Sequence, residues 1–563
     1  MESRKDDGVD EATTQPTEPT PPADDQAAAD LLSGLCDDVL VHILGLTKHA
    51  RDTVRTGALS RRWRGLWQRA PALRFASRRW FKCGGSPHGF IAFVDDTLAL
   101  HAVRSGGGGV LEQLVICLLD MDNDACHNKR LVTPSVGAAE RWILYAARHG
   151  VKSFHFEFEL YLPGNDDDEE NEETRTIALD ELPSSAKLEA MYLDLDDAWV
   201  RLPATVVFVS LTDLALESIK VAGDNVLLLS RLVSSACCPN LQKLRMWFIT
   251  LRHQQQNLLL EAGALTELSL YRIDGMTSLE VNTPSLRVLL VEGCDHLGSL
   301  EASAPSLEKL HIEGCEDLES FVASAPRLEK LSWKKNGLLI IDQDFPSVSR
   351  LKLHLYSHGY AYGDDSNCGS INLLQRCSSA SCLSIDLHVS MREGHDIDTI
   401  KGWIPQVDRV RSLKAHITST MKQNRQCFVN CVASLLTSFN NIRFLRLDFY
   451  CFKIQQSVPC SGSVRKSNFI CDHWKSHEIS LVHLTEAQFS RLPRTGADCA
   501  LRFLQYVLSG AAQLQKVIIS FNQKYSLKSG CDDFREVLLP SGTWTDCHDT
   551  IGMYRSYEWR PCQ

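Results

Sequence analysis

The sequence predicts an α/β protein in which a small trihelical unit near the start is followed by an irregular repeat solenoid with a parallel, concave sheet. Three observations point there. Apolar residues recur at helical spacing between residues 35 and 67. An apolar strand pattern returns every 21 residues between 263 and 333. Looser copies of that pattern extend on both sides.

The chain has 563 residues, more than one compact domain accommodates. Acidic side chains outnumber basic ones by 70 to 59, and the net charge of −11 argues against nucleic acid as the main partner, which would require a basic footprint. Residues 1–30 have no aromatic residue and a TTQPTEPTPPADD run. Such a composition buries too little apolar area to offset ordering entropy, so a disordered acidic, Pro-rich tail is expected. It lacks the apolar core of a secretory signal, and no stretch of about 18 apolar residues could span a bilayer. The expected setting is cytoplasm and/or nucleus, with no membrane partner. The 20 cysteines are scattered, so they read as reduced, small hydrophobes.

The first ordered unit is expected over 31–76. Leu35, Val39, Ile43 and Leu46 recur at steps of three to four, with Leu40 and Leu44 beside them. Asp37 and Asp38 fall in the first turn, where the helix dipole favours them. Asp52 opens a second segment containing Val54 and Ala58. Ser60 precedes a third, with Trp63, Leu66 and Trp67 on one face and Arg61, Arg62 and Arg64 turned outward. A unit of roughly 40 residues is marginal alone. Its apolar residues serve either to cap the adjoining repeats or to dock another protein.

A solenoid is expected over 77–460. Leu265-x-x-Leu268-x-Leu270 returns as Leu286-x-x-Leu289-x-Val291, Leu307-x-x-Leu310-x-Ile312 and Leu328-x-x-Leu331-x-Trp333. Pro284, Pro305 and Pro326 hold the same offset, as do Cys294 with Cys315 and Leu300 with Phe321. Each copy supplies one short strand and a return segment, and stacking closes a core that one copy cannot close alone. Looser copies begin at Leu111, Val151, Leu188, Leu211 and Leu241 and continue at Val348, Ile442 and Leu514. Helices are expected at 90–100 and 138–150 on the convex side. The spacing and the L-x-x-L-x-L signature resemble leucine-rich repeats. Over 461–563, apolar spacing places a strand, a helix with Leu501, Leu504, Val507 and Leu508, and another strand, a unit suited to cap the last core layer.

The run Leu35 to Leu44, then Arg51 to Thr56 and Leu59 to Trp67, resembles the F-box of plant F-box proteins, and the last stretch resembles the FBD region that often closes the repeat-bearing members. Two positions depart from the family pattern. Cys36 stands where a proline usually starts the first helix, and Leu46-Thr47-Lys48-His49 replaces the usual Leu-Pro between the first two helices. The resemblance implies a substrate-recognition subunit of an SCF-type cullin-RING ubiquitin ligase, with the F-box docked on a Skp adaptor and the repeat surface holding a target. Under it, Leu35, Val39, Leu40, Ile43, Val54, Leu59 and Trp63 are the adaptor-binding candidates, by contact or by shaping the unit. The alternative is a repeat-based scaffold with a degenerate F-box and no ubiquitin role. Strand alternation offers Glu267, Ser269, Arg287, Glu308, His311 and Lys330 as target-binding candidates, without naming the target.

No catalysis, cofactor or metal is expected. His477-Glu478 lacks a second His at i+4. Cys427, Cys431, Cys471, His473 and His477 include no Cys-x-x-Cys pair. The run Gly106 to Gly109 lacks the Lys-Ser/Thr of a phosphate loop, and the acidic run Asp166 to Glu173 reads as a solvated loop.

Overall fold

The computed structural model describes residues 32, 34–105, 111–119, 132–159, 175–221, 226–252, 256–334, 336–337, 341, 343–356, 367–389, 404–419, 427–451, 473–492, 497–522, 538–539, 541–548 and 554–562. The expected tail over 1–30, the glycine run over 106–109, the acidic run over 166–173 and Cys471 lie outside these residues.

Three short helices open the described chain: α1 (Asp37–Gly45), α2 (Ala50–Arg55) and α3 (Arg61–Leu66). Next come β1 (Ala72–Ala76), β2 (Gln113–Leu119), β3 (Ser153–Glu159), β4 (Thr176–Ala178), β5 (Ala190–Arg201), β6 (Asp213–Val221) and β7 (Lys243–Leu251). The repeat block alternates β8 (Gln256–Leu260), β9 (Glu267–Asp274), β10 (Met276–Asn282), β11 (Val288–Glu292), β12 (Ser299–Ser303), β13 (Lys309–Glu313), β14 (Ser320–Ser324) and β15 (Lys330–Lys334). The chain continues through β16 (Arg350–Tyr356), β17 (Cys382–Val389), β18 (Ser412–Ser419), β19 (Phe444–Cys451), β20 (Glu486–Leu492), β21 (Lys516–Asn522), β22 (Thr543–His548) and β23 (Tyr554–Arg560).

One large sheet runs through the molecule, and nearly all its pairings are parallel. In the repeat block the register follows the sequence period: Leu268, Leu289, Leu310 and Leu331 are successive cross-strand partners, and so are Leu270, Val291, Ile312 and Trp333. All eight are buried, because alternate residues of a strand point to one face. The loose copies at Leu111, Val151, Leu188, Leu211, Leu241, Val348, Ile442 and Leu514 supply β2, β3, β5, β6, β7, β16, β19 and β21 of the same sheet.

The return segments of the repeat block are strands too. β8, β10, β12 and β14 form a second parallel sheet, with Leu258, Leu279, Leu300 and Phe321 in one register row. A period of 21 residues leaves no room for a helix between two five-residue strands and their turns. Gly293 and Gly314 stand one period apart at φ of 65° and 68°, the left-handed conformation that glycine adopts without penalty, and turn the chain after β11 and β13. At the edge of the second sheet the Gln343 amide takes the place of a further strand. Its Oε1 accepts from Ala323 N at 3.1 Å and its Nε2 donates to Ala323 O at 2.7 Å.

Longer repeats carry helices, including Pro87–Ser105, which contains the first expected segment, and Val132–Arg148, which covers the second except its last two residues. They are tied together where Trp142 Nε1 donates to Asp95 Oδ1 at 2.8 Å. β1 falls inside 31–76 yet pairs with β2, and β20 and β21 continue the parallel run from β19 across the expected break at 460. The parallel run then meets an antiparallel end, where β23 lies on β21 and β22 on β23.

A candidate docking surface in two parts

The first part is the helical unit, which has a small core of its own. Leu40 and Leu44 of α1 meet Leu66, Trp67 and Ala70, with Leu35, Val41, Val54 and Trp63 packed alongside. Ser60 is the N-cap of α3, its Oγ accepting from Trp63 N at 3.4 Å. Arg62 is exposed, as expected, and from the surface donates from Nε to Asp37 Oδ1 at 2.8 Å, which joins α3 to the first turn of α1.

The apolar residues of α1 therefore divide between two faces. Leu40 and Leu44 close the core, whereas Val39, Ile43 and Leu46 are 42%, 38% and 67% exposed, and Leu59 is 68% exposed. Val39, Ile43 and Leu46 follow the i, i+4, i+7 spacing of one helix face. Of the sequence candidates, Val39, Ile43 and Leu59 thus stand at the surface, Leu35, Val54 and Trp63 are half-buried, and Leu40 is interior.

Both departures from the family pattern have local substitutes. Cys36 takes φ −69°, close to the value a proline ring enforces. Thr47 Oγ1 donates to Leu44 O at 2.7 Å and shares a hydrogen bond with the Thr53 hydroxyl, which links the end of α1 to α2. The unit is also anchored to the sheet. Arg74 of β1 donates to Gly45 O at 2.8 Å and Thr47 O at 3.1 Å, and Arg79 pairs with Asp52 at 2.8 Å.

The second part is the outward face of the large sheet. The sequence candidates are distributed unevenly over it. Glu267 faces Lys243 at 3.7 Å, and Ser269 Oγ accepts from Trp247 Nε1 at 3.2 Å. Arg287 and Glu308 lie just before β11 and β13 and are joined to each other by two hydrogen bonds of 2.9 and 3.1 Å. His311 Nε2 is 3.1 Å from Glu292 and 3.4 Å from Glu313. Lys330 lines a groove of about 670 Å³ over β11 to β18, together with His311 and with Lys309, Arg350, Lys352 and Lys414. None of these last four is among the sequence candidates; the register aligns Lys309 and Arg350 with Lys330 and places Lys352 and Lys414 in the next outward-facing row.

A contrasting region lies over β2 to β6. Cys117, Glu157, Asp194 and Glu217 occupy one register row on four neighbouring strands. His155 Nε2 is 2.8 Å from Glu157 Oε1 and its ring stacks on Tyr192, whose hydroxyl donates to Glu217 at 2.7 Å. Burial, and then the Glu217 charge, push the Asp194 carboxyl up to about 6. Burial, and then Glu157, push the Cys117 thiol up to about 12. The donor atoms of Cys117, His155 and Glu157 come within 4.8 Å of one another, although Cys117 is distant in sequence from the other two. Among the described residues, no helix is long and apolar enough to cross a membrane.

A repeat protein that presents a small helical unit with an unfilled apolar face is the class that fold and surface define. Comparison with known proteins bears on which kind. The chain is similar to a putative FBD-associated F-box protein of Arabidopsis thaliana, 26% identical over 279 residues, covering 48% of this chain and 52% of that protein. A second Arabidopsis thaliana protein of the same description is 42% identical over 72 residues, covering 13% of this chain and 16% of its own length. The chain thus spans about half the length, or less, of the curated relatives it matches. No family model matches the chain. The resemblance to plant F-box/FBD proteins that the motifs suggest is shared by these relatives.

Proposed function

We propose that this chain is the non-catalytic substrate-recognition subunit of an SCF-type cullin-RING ubiquitin ligase. Residues 31–76 act as the F-box and dock on a Skp-type adaptor, and the sheet face holds a target protein. The 461–563 region closes the sheet as an FBD-like cap. The exposed row Val39, Ile43 and Leu46, with Leu59, carries this reading: the unit has closed its own core, so these side chains remain available to a partner. The names of the relatives support the same direction. The chain contributes proximity, holding target and ligase together and raising their effective concentration.

The test is binding of the whole chain to a plant Skp adaptor, followed by gel filtration and calorimetry. A one-to-one complex of micromolar affinity or tighter is expected. Ile43→Asp places a charge in the centre of the apolar face and is expected to weaken binding on the order of 100-fold, while the thermal transition stays close to that of the unsubstituted chain, because Ile43 lies outside the unit's core. A folded chain that binds no adaptor overturns the reading.

A further inference from the structure

A row of like charge crosses the sheet where the groove lies. Lys309, Lys330 and Arg350 are direct cross-strand partners on β13, β15 and β16. Directly opposed like charges weaken strand pairing, so the fold itself gains nothing from three cations in one row. Lys352 is answered by Asp386 at 3.0 Å, and His311 by Glu292 and Glu313. Lys309, Lys330, Arg350 and Lys414 form no ion pair among the described residues. This positive surplus sits in a chain whose net charge is −11. Along one edge of the groove the lining turns apolar, at Val288 and Leu290.

We propose that the groove takes a segment of the target polypeptide that carries clustered negative charge, with its carboxylates or phosphates against Lys309, Lys330, Arg350 and Lys414 and an apolar side chain against Val288 and Leu290. This rests on the reading of the sheet as the target-holding face and gives that target a chemistry. Neighbouring strands lie about 4.8 Å apart, so the outer two cations of the row are separated by about 10 Å, a span that about three residues of an extended peptide cover. The lysines act as point charges toward carboxylate or phosphate, and Arg350 adds a planar fork for bidentate hydrogen bonds. Charge complementarity of this kind sets specificity and speeds encounter, and salt screens it.

The experiment is fluorescence anisotropy on the full chain, with a labelled octaglutamate peptide, a phosphoserine peptide of equal charge, an octalysine peptide and an oligouridine as probes. At least one anionic peptide is expected to bind, and the octalysine peptide is not. The Lys309→Gln/Lys330→Gln variant is expected to lose affinity on the order of tenfold, and Lys309→Glu/Lys330→Glu more. Ile43→Asp is expected to leave peptide binding unchanged. The tighter of the two anionic peptides identifies carboxylate or phosphate as the source of charge. The proposal is overturned if neither anionic peptide binds, if both lysine variants bind as the unsubstituted chain does, or if oligouridine binds more tightly than either peptide. Adaptor binding measured on the same samples separates the two claims. Adaptor bound without peptide removes the groove proposal alone, and peptide bound without adaptor removes the ligase reading alone.

Discussion

Asp448 shows how single residues on the sheet face are governed by their neighbours. Its carboxylate is buried, with Arg446 Nε at 2.8 Å and His416 Nδ1 at 3.1 Å. Burial works against the charge, but hydrogen bonds from His416, Arg446 and Ser490 prevail and hold the carboxyl below its usual range. A carboxyl whose value is lower in the folded than in the unfolded chain stabilises the fold above the ordinary value of about 4, and this contribution is lost as pH falls below it. Asp448→Ala is therefore expected to cost about 1–3 kcal/mol at pH 7. Urea titrations at successive pH values should show the gap between the two proteins narrowing below about pH 4; a gap independent of pH would contradict the assignment. Little of this was legible in the sequence. Arg446 and Asp448 are near neighbours, but His416 and Ser490 reach Asp448 only through the register of β18, β19 and β20. Of the groove cations only Lys330 was among the sequence candidates, although Lys309 and Arg350 hold the matching place in their own copies of the pattern; that they form one row with a groove over it depends on the register of β13, β15 and β16.

At the scale of elements, what repeats in the sequence repeats in space. Cys294 and Cys315, both buried, take equivalent places one period apart, and the strands before and after them pair in matching register. Removing residues 295–315 would join Cys294 to Glu316 and leave every remaining strand in phase. Such a deletion is expected to fold cooperatively with a lower thermal midpoint, since each coil adds its own interface to a near-additive array. A deletion of ten residues, 295–304, breaks the phase and should abolish the cooperative transition seen by circular dichroism. Equal behaviour of the two deletions would show that the coils are not the units of stability. The pattern made most strands of the large sheet readable, but not β1, β4, β17 or β18, and the second sheet was not readable. Strands of the pattern Ser-Leu-Glu-Ala-Ser, seen in β12, offer only two apolar positions, and their identity as strands depends on the short period more than on their composition. The helix α1 was readable as a helix, yet the division of its apolar residues between core and surface depends on α3, which covers Leu40 and Leu44 and leaves Val39 and Ile43 bare.

Across the whole molecule, the helical unit and the sheet form a connected body. Arg74 reaches from the first strand to the end of α1, and the helix Ser77–Lys82 that follows this strand meets α2 through Arg79, paired with Asp52, and through the Trp80 ring, over which the Arg51 guanidinium lies at 5.2 Å. A partner bound to the helices is thus held in a defined relation to a partner on the sheet, as a receptor that presents a target requires. The mostly parallel α/β architecture was legible from periodicity. Its antiparallel end was not, because β22 and β23 carry no copy of the repeat. Hydrogen–deuterium exchange of the full chain, with and without a plant Skp adaptor, reads the helical unit and the sheet face in one experiment. Docking through the helices requires slowed exchange across residues 37–46 and 56–66, and no change in the strands that line the groove. Adaptor binding that slows exchange only on the sheet face, or leaves the helical unit unaffected, would contradict it.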